Sequence, residues 1–116
     1  HSYYQIAVNP AGTIVDLDRE IAVDKQWTSA VKAAAHRGED FWSVEIKIPA
    51  RKGDALAELD SVRGVLGSRP APDAPWHINI CRQRNRGDTK ESTAFAPTEE
   101  SSFHVLHKFA EITAKD

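Results

Sequence analysis

Two segments with the same alternating pattern constrain the fold of this 116-residue chain more than any other feature. In Phe41–Pro49 every second side chain from Trp42 onward is apolar, and Pro75–Arg82 repeats this pattern from Trp76 onward. A period of two is typical of strands with one apolar and one polar face. Antiparallel sheets often leave that polar face open to water or a ligand, so we predict an all-β, antiparallel fold. The expected core positions are Trp42, Val44, Ile46, Trp76, Ile78 and Ile80, and the residues expected to be more exposed are Glu45, Lys47 and Asn79.

Four further strands are predicted. Residues 3–16 are predicted to form a hairpin about Asn9–Gly12, where proline fixes φ and glycine is free to take a positive φ. Ala30–His36 alternates in the same way and is interpreted as a strand that pairs with residues 41–49 as a second hairpin, although an alanine run could also form a helix. Phe103–Asp116 is expected to contain the last strand.

One segment has helical spacing instead. In residues 54–66 the apolar side chains Leu56, Leu59, Val62 and Leu66 form one stripe, and Asp54 is a candidate N-cap. We therefore predict one short helix there. The segments expected to be loops or turns are residues 17–29 around Trp27, 67–75 and 83–91.

Composition limits the classes of function. A chain of this length predicts a single domain over residues 1–116. The net charge is −2 and the isoelectric point about 6.2, which gives no electrostatic reason to expect nucleic acid or an acidic membrane as a partner. The apolar runs are too short for a transmembrane helix. The absence of methionine, even at the start, suggests a piece of a longer polypeptide, and the single Cys81 excludes an internal disulfide.

The order of the segments resembles a known family. It runs through Tyr3–Gly12, Trp27, Trp42–Pro49, Trp76–Arg82 and Ser102–Phe109. This order is similar to the C-terminal half to two-thirds of a family 9 carbohydrate-binding module, a DOMON-like β-sandwich. The resemblance implies a jelly-roll-like antiparallel sandwich, truncated because family members carry earlier strands. It also implies a secreted, periplasmic or cell-surface bacterial protein that binds an oligosaccharide or polysaccharide. A dimer, or association with the missing N-terminal strands, is the expected assembly.

The resemblance also implies roles for individual residues. The aromatic residue before the final strand, which stacks on sugar in such modules, corresponds to Phe103. The amide that contacts sugar hydroxyls corresponds to Asn79. This sequence departs from the sugar binders at two positions, because Phe103 replaces a tryptophan and Ala7 replaces an arginine. We therefore expect weak binding by this chain alone.

Sugar recognition requires a flat apolar surface and fixed hydrogen-bonding groups. The candidate platforms are Phe103, Trp27 and Tyr3, and the candidate hydrogen-bonding residues are Asn79, His77, Gln5 and Glu45. The alternative interpretation is that Phe103 packs a loop onto the core and that the polar strand faces are simply solvated.

The sequence gives weaker evidence for a metal site or a nucleic-acid surface than for a sugar-binding surface. Asp16, Asp18 and Asp24 could supply oxygen ligands to a structural calcium ion, although a charged loop explains them better. His104 and His107 have a chelating spacing, but no neighbouring ligand completes a zinc site. We expect no cofactor. The arginines at positions 82, 84 and 86 are interpreted as an exposed turn, since a nucleic-acid surface would combine such residues with stacking aromatics.

The sequence contains no catalytic constellation that we recognise. No nucleophile elbow is present, and Cys81 is interpreted as a packed small residue. The carboxylate pairs Glu39-Asp40 and Glu99-Glu100 are adjacent on turns and do not face each other across a cleft. We therefore expect non-catalytic carbohydrate binding by a module of a larger exported polypeptide. The alternatives are a structural or protein-interaction β-sandwich and an accessory part of a glycoside-processing enzyme.

Overall fold

The computed structural model describes residues 3–18, 26–51, 61–66 and 69–114. Within these ranges the structure is built of strands, and its one helical segment is a 3₁₀ turn at Leu106–Lys108. The predicted all-β class is confirmed, whereas the sandwich arrangement stays a prediction. No helix of the described ranges is long and apolar enough to span a membrane.

The chain divides into two compact units, His1–Ser68 and Arg69–Asp116, while the single domain over 1–116 stays a prediction. The strands described in the first unit are Tyr4–Val8, Ile14–Asp18, Gln26–Thr28, Lys32–Arg37, Trp42–Lys47, Ala50–Arg51, Ser61–Arg63 and Val65–Leu66. The strands described in the second unit are Trp76–Ile78, Cys81–Arg86, Thr89–Ala94 and Ala110–Ile112.

The first hairpin, Tyr4–Val8 with Ile14–Asp18, is antiparallel as predicted. The side chain of Asn9 organises its turn, because Oδ1 accepts hydrogen bonds from the backbone N–H groups of Ala11 and Thr13, both at 2.9 Å. Gly12 has a φ of 82°, a conformation that glycine adopts without the steric cost of a Cβ.

The second hairpin, Lys32–Arg37 with Trp42–Lys47, also confirms the prediction. Its register places Ala33 opposite Ile46 and Ala35 opposite Val44 on one face. The intervening positions put lysines, Glu45, His36 and Ser43 on the other face, so the alternation of the sequence sets the two faces of this element.

Two short parallel pairs correct the predicted helix. Ser61–Arg63 pairs with Gln26–Thr28, and Val65–Leu66 pairs with Ala50–Arg51. The helix prediction for 54–66 is therefore wrong for residues 61–66, and its earlier part lies outside the described residues. Gly64 separates the two strands with a φ of 83°, which right-handed helices do not contain. The predicted loop around Trp27 is likewise corrected, because Trp27 lies within a strand.

In the second unit, Trp76–Ile78 pairs antiparallel with Ala110–Ile112, which confirms the predicted last strand. The third hairpin joins Cys81–Arg86 to Thr89–Ala94. The predicted turn at residues 83–91 is therefore wrong, since only Gly87 and Asp88 form the turn. Both strands of this hairpin are polar on both faces, so no apolar alternation indicated them.

The predicted core is confirmed only in part. Trp42, Val44, Trp76 and Ile78 are half-buried, but Ile46 is 41% exposed and Ile80 is 65% exposed. Ile46 lies opposite Ala33, whose methyl group covers little of its neighbour.

At Ile80 the predicted alternation fails because the strand that starts at Trp76 stops at Ile78. Asn79 is half-buried, so the expectation that it is more exposed than Ile80 is wrong. Among the residues whose burial is described, Val105 is the one apolar side chain that is buried, with 7% of its surface exposed.

Candidate functional site

A groove of about 390 Å³ in the second unit has Phe103 among its lining residues, and we call it the groove around Phe103. Phe103 is one of the residues that line this groove, and it is half-buried. The other lining residues are Ser92, Ala94, Pro97, Thr98, Glu99, Glu100 and Ser101. The groove therefore combines one aromatic surface with hydroxyl and carboxylate groups.

Two elements form the walls of this groove. Ser92 and Ala94 alternate along a strand of the third hairpin and share one of its faces. Residues 97–101, in the loop that follows this strand, form the second wall. Thr98 anchors that loop, because it is 6% exposed and its hydroxyl donates a 3.3 Å hydrogen bond to the backbone carbonyl of Glu100.

An ion pair with a residue further along the chain also stabilises the loop of residues 97–101. The Lys108 ammonium donates a 2.6 Å hydrogen bond to Oε2 of Glu99. This bond, with the attraction between the two charges, lowers the pKa of the Glu99 carboxyl and raises the pKa of Lys108. Glu99 is therefore ionised at neutral pH. An ionised carboxylate in the groove wall can still accept strong hydrogen bonds from ligand hydroxyls, although the adjacent Lys108 ammonium balances its charge.

Asn79, predicted as a sugar contact, lies half-buried beyond the end of its strand and does not line the groove. Its Nδ2 donates to the carbonyl of Ala96, and its Oδ1 accepts from the N–H of Ala96, both at 3.0 Å. The amide thus pairs with the backbone of Ala96 as another peptide group would. This geometry gives Asn79 a structural role at the start of the loop that forms the groove wall.

His77 likewise does not line the groove. It lies directly opposite Glu111 in the pair formed by the Trp76 strand and the last strand, and its Nε2 is 3.2 Å from Glu111 Oε1. Both side chains are exposed. Of the predicted residues in this unit, the structure places Phe103 in the groove and leaves Asn79 and His77 outside it.

The remaining candidates belong to the first unit. Trp27 stacks on Tyr4 with ring centroids 5.0 Å apart and an interplanar angle of 21°, and its Nε1 donates a 3.0 Å hydrogen bond to the carbonyl of Gly64. Gln5 alternates with Tyr4 and so lies on the opposite face of the first hairpin. Tyr3 is half-buried at the start of that hairpin, and Glu45 is exposed on the lysine-bearing face of the second. Trp27 contacts the face of this hairpin that carries Tyr4, whereas Gln5 lies on the other face.

The calcium and zinc candidates find no support in the described ranges, where no group of three or more His, Cys, Asp or Glu could hold a metal. Asp16 instead accepts hydrogen bonds from Ser29 and Thr28, and Asp24 lies outside the described residues.

Cys81 is exposed, which corrects its interpretation as a packed residue. Its partial burial still raises the pKa of the thiol. A raised pKa keeps the thiol protonated at neutral pH, which disfavours a nucleophilic role.

Sequence reasoning missed most of the groove. Ser92, Pro97 and Ser101 carry no local signal, because their proximity to Phe103 depends on how the loop folds against the third hairpin. The third hairpin could have been predicted from Gly87-Asp88. This two-residue pair contains a glycine, as tight hairpin turns often do, and it lies between two six-residue strands.

Comparisons with protein-family models, with curated proteins and with solved structures give no match for this chain.

Proposed function

We propose that this chain binds carbohydrate without catalysis, and that the binding surface is the groove around Phe103. The observation that carries the proposal is a half-buried aromatic ring flanked by hydroxyl and carboxylate side chains within one groove. The resemblance of the segment order to family 9 carbohydrate-binding modules points to the same residue.

The chemistry of the groove favours a neutral sugar. The C–H face of a pyranose ring packs on an aromatic ring. Its hydroxyls donate hydrogen bonds to carboxylates, and they both donate to and accept from the hydroxyls of serine and threonine. Glu99 and Glu100 would accept such bonds, and Ser92 and Ser101 would complete them. Because the Lys108 ammonium balances the charge of Glu99, these two carboxylates leave one net negative charge beside the groove, and this charge disfavours an acidic sugar.

The wider context is proposed on the resemblance alone. We propose a DOMON-like sandwich module of a larger, exported bacterial polypeptide, secreted or held in the periplasm or at the cell surface. Such a module would direct a neighbouring domain to polysaccharide. An accessory role beside a glycoside-processing enzyme is one form of this proposal.

The test is calorimetric titration of the chain and of Phe103→Ala with a panel of neutral mono- and disaccharides. With a single aromatic platform we expect a millimolar dissociation constant, roughly 4 kcal/mol of binding free energy. Phe103→Ala should abolish measurable binding. Phe41→Ala is the matched control, because Phe41 is an exposed phenylalanine of the first unit. Equal affinities of the chain and Phe103→Ala would show that the site is wrong.

A second candidate function is supported by a different surface. The first hairpin carries Ala7, Val15 and Leu17 on the face that also holds Gln5, and these three apolar residues are exposed. An apolar strand face of this kind is a feature of proteins that pack against another chain. If no sugar of a broad panel binds, a protein-interaction β module becomes the better proposal.

A further inference from the structure

We infer a second binding surface on the third hairpin, and we propose that it takes an acidic polysaccharide, one with carboxylate or sulfate groups along its chain. Arg82, Arg84 and Arg86 alternate along one strand and so project from one face of the hairpin. The register places Thr93, Glu91 and Thr89 directly opposite them. We call these six residues the arginine face.

The arginine face presents its charges at regular intervals. Alternate residues of a strand lie about 6.5 to 7 Å apart, and all three arginines are exposed. A guanidinium forms paired, planar hydrogen bonds with a carboxylate or sulfate, which a lysine ammonium cannot do. A row of guanidinium groups at even spacing therefore suits a linear polymer with repeated anionic groups.

Glu91 only partly neutralises this row. Its carboxylate oxygens lie 3.9 Å from Arg82 Nη1 and 3.8 Å from Arg86 Nε, at the long end of ion pairing. Within the described ranges no carboxylate pairs with Arg84. Three arginines and one glutamate leave a net charge of +2 on this face, although the whole chain carries −2. Exposed pairs of this kind exchange partners at little cost.

The arginine face is separate from the groove. Ser92 and Ala94, which line the groove, occupy alternate positions and belong to the other face of the same hairpin. The groove has Glu99 and Glu100, whereas the arginine face is basic. Acidic ligands are therefore favoured on one face and disfavoured on the other, and the two proposals can fail independently.

The apolar pair Ile80 and Phe95 extends the arginine face at one end. The N–H of Phe95 donates a 2.8 Å hydrogen bond to the carbonyl of Ile80, so the pairing continues one step beyond the named strands. By alternation this pair follows Arg82 and Thr93 on the same side, and both side chains are well exposed. An aromatic ring beside guanidinium groups gives a sugar ring a surface on which to pack.

Single-stranded nucleic acid is the competing polyanion, and the face suits it less well. Such ligands are bound by several aromatic platforms on which successive bases stack, within a broad basic field. The arginine face itself has no aromatic residue, and Phe95 adds one at its end. The strand opposite the arginines carries threonine hydroxyls on either side of Glu91. These hydroxyls can form hydrogen bonds with the hydroxyls of a polysaccharide.

The experiment is titration of the full chain with polygalacturonate and dextran sulfate at low salt. Neutral dextran and single-stranded oligothymidylate are measured beside them. We expect both acidic polysaccharides to bind, dextran not to bind to this face, and affinity to fall as sodium chloride rises above about 0.1 M, where the Debye length is about 10 Å.

The variant R82Q/R84Q/R86Q should bind the acidic polymers at least about tenfold more weakly. The control K32Q/K47Q/K90Q removes the same charge from exposed positions outside the face and should keep the native affinity. The single variant Arg84→Gln removes a guanidinium without a described ion-pair partner, so it tests the face even if the triple variant folds poorly. It should bind about two- to threefold more weakly.

The inference is overturned if neither acidic polysaccharide binds, or if the control variant loses as much affinity as the arginine variant. Tighter binding of oligothymidylate than of either polysaccharide would also overturn it in favour of a nucleic-acid surface. Phe103→Ala should leave acidic-polymer binding unchanged, so failure of the groove proposal and failure of this one are distinguishable.

Discussion

Asp16 is the side chain on which the turn after Thr28 depends. Its Oδ2 accepts a 2.6 Å hydrogen bond from the N–H of Ser29 and a 3.3 Å bond from the hydroxyl of Thr28. Ser29 is 1% exposed, so its N–H has no access to water as a replacement partner. Burial by itself would raise the pKa of Asp16, but the hydrogen bonds from Ser29 and Thr28 outweigh it and lower the pKa.

We predict that Asp16→Ala lowers the free energy of unfolding by about 1–3 kcal/mol at neutral pH, because a buried N–H loses its acceptor. Urea unfolding of the chain and the variant measures the difference, and Asp40→Ala, an exposed carboxylate of the same unit, is the control that should change little.

The pH dependence of this difference has a definite sign. The folded pKa of Asp16 lies below its unfolded value, so the carboxylate contributes fully above about pH 5 and its contribution is lost as the pH falls through the folded pKa. The stability difference between the chain and Asp16→Ala should therefore be constant near neutrality and shrink in acid. A difference that grows on acidification would contradict this account.

The third hairpin shows how a polar side chain fixes an element. Asn79 bonds the N–H and the carbonyl of Ala96 just beyond the end of the Thr89–Ala94 strand. Because these bonds link the chain before the hairpin to the loop after it, they position the groove wall that begins at Pro97.

We predict that Asn79→Ala destabilises the chain by about 1–3 kcal/mol, since two half-buried backbone groups lose their partners. Thermal and urea unfolding measure this effect, with Asn85→Ala on the exposed part of the same hairpin as the control. If Asn79 were instead a sugar contact, as the sequence suggested, the variant would lose sugar affinity while keeping its unfolding free energy.

The sequence predicted those elements whose signals are local. Alternating side chains and the turn at Asn9–Gly12 are enough to specify the first two hairpins. The parallel pairing of Ser61–Arg63 with Gln26–Thr28 could not be predicted, because it joins segments that are distant in the sequence. The spacing of Val62 and Leu66 fits a helix as well as it fits strands. The groove could be predicted only at Phe103, because its other residues meet through the folding of a loop.

For the molecule as a whole, a shortage of buried apolar surface is the main feature of the described ranges. Each sheet described has two strands, and an isolated hairpin of this kind is marginally stable. Val15 and Leu17 on the first hairpin are 55% and 42% exposed. Exposed apolar faces and open strand edges favour pairing with another chain.

We therefore predict that the chain self-associates, or pairs with further strands of a parent polypeptide, through this face. Sedimentation velocity over a range of concentrations should show an increase in mass that Val15→Thr with Leu17→Thr reduces. These substitutions keep β propensity and remove apolar surface. Ile112→Thr in the other unit is the control. A monomer at every concentration would contradict the prediction of self-association.

An NMR titration of the isotope-labelled chain shows whether the groove around Phe103 binds a sugar. Each neutral sugar of the panel is added while the backbone amide signals are followed. Binding of a sugar in this groove predicts that the largest shifts fall on Ser92 and on residues 98–103, with little change at Gln5, Trp27 and His77. Largest shifts at those three residues, or no shift with any sugar, would contradict it.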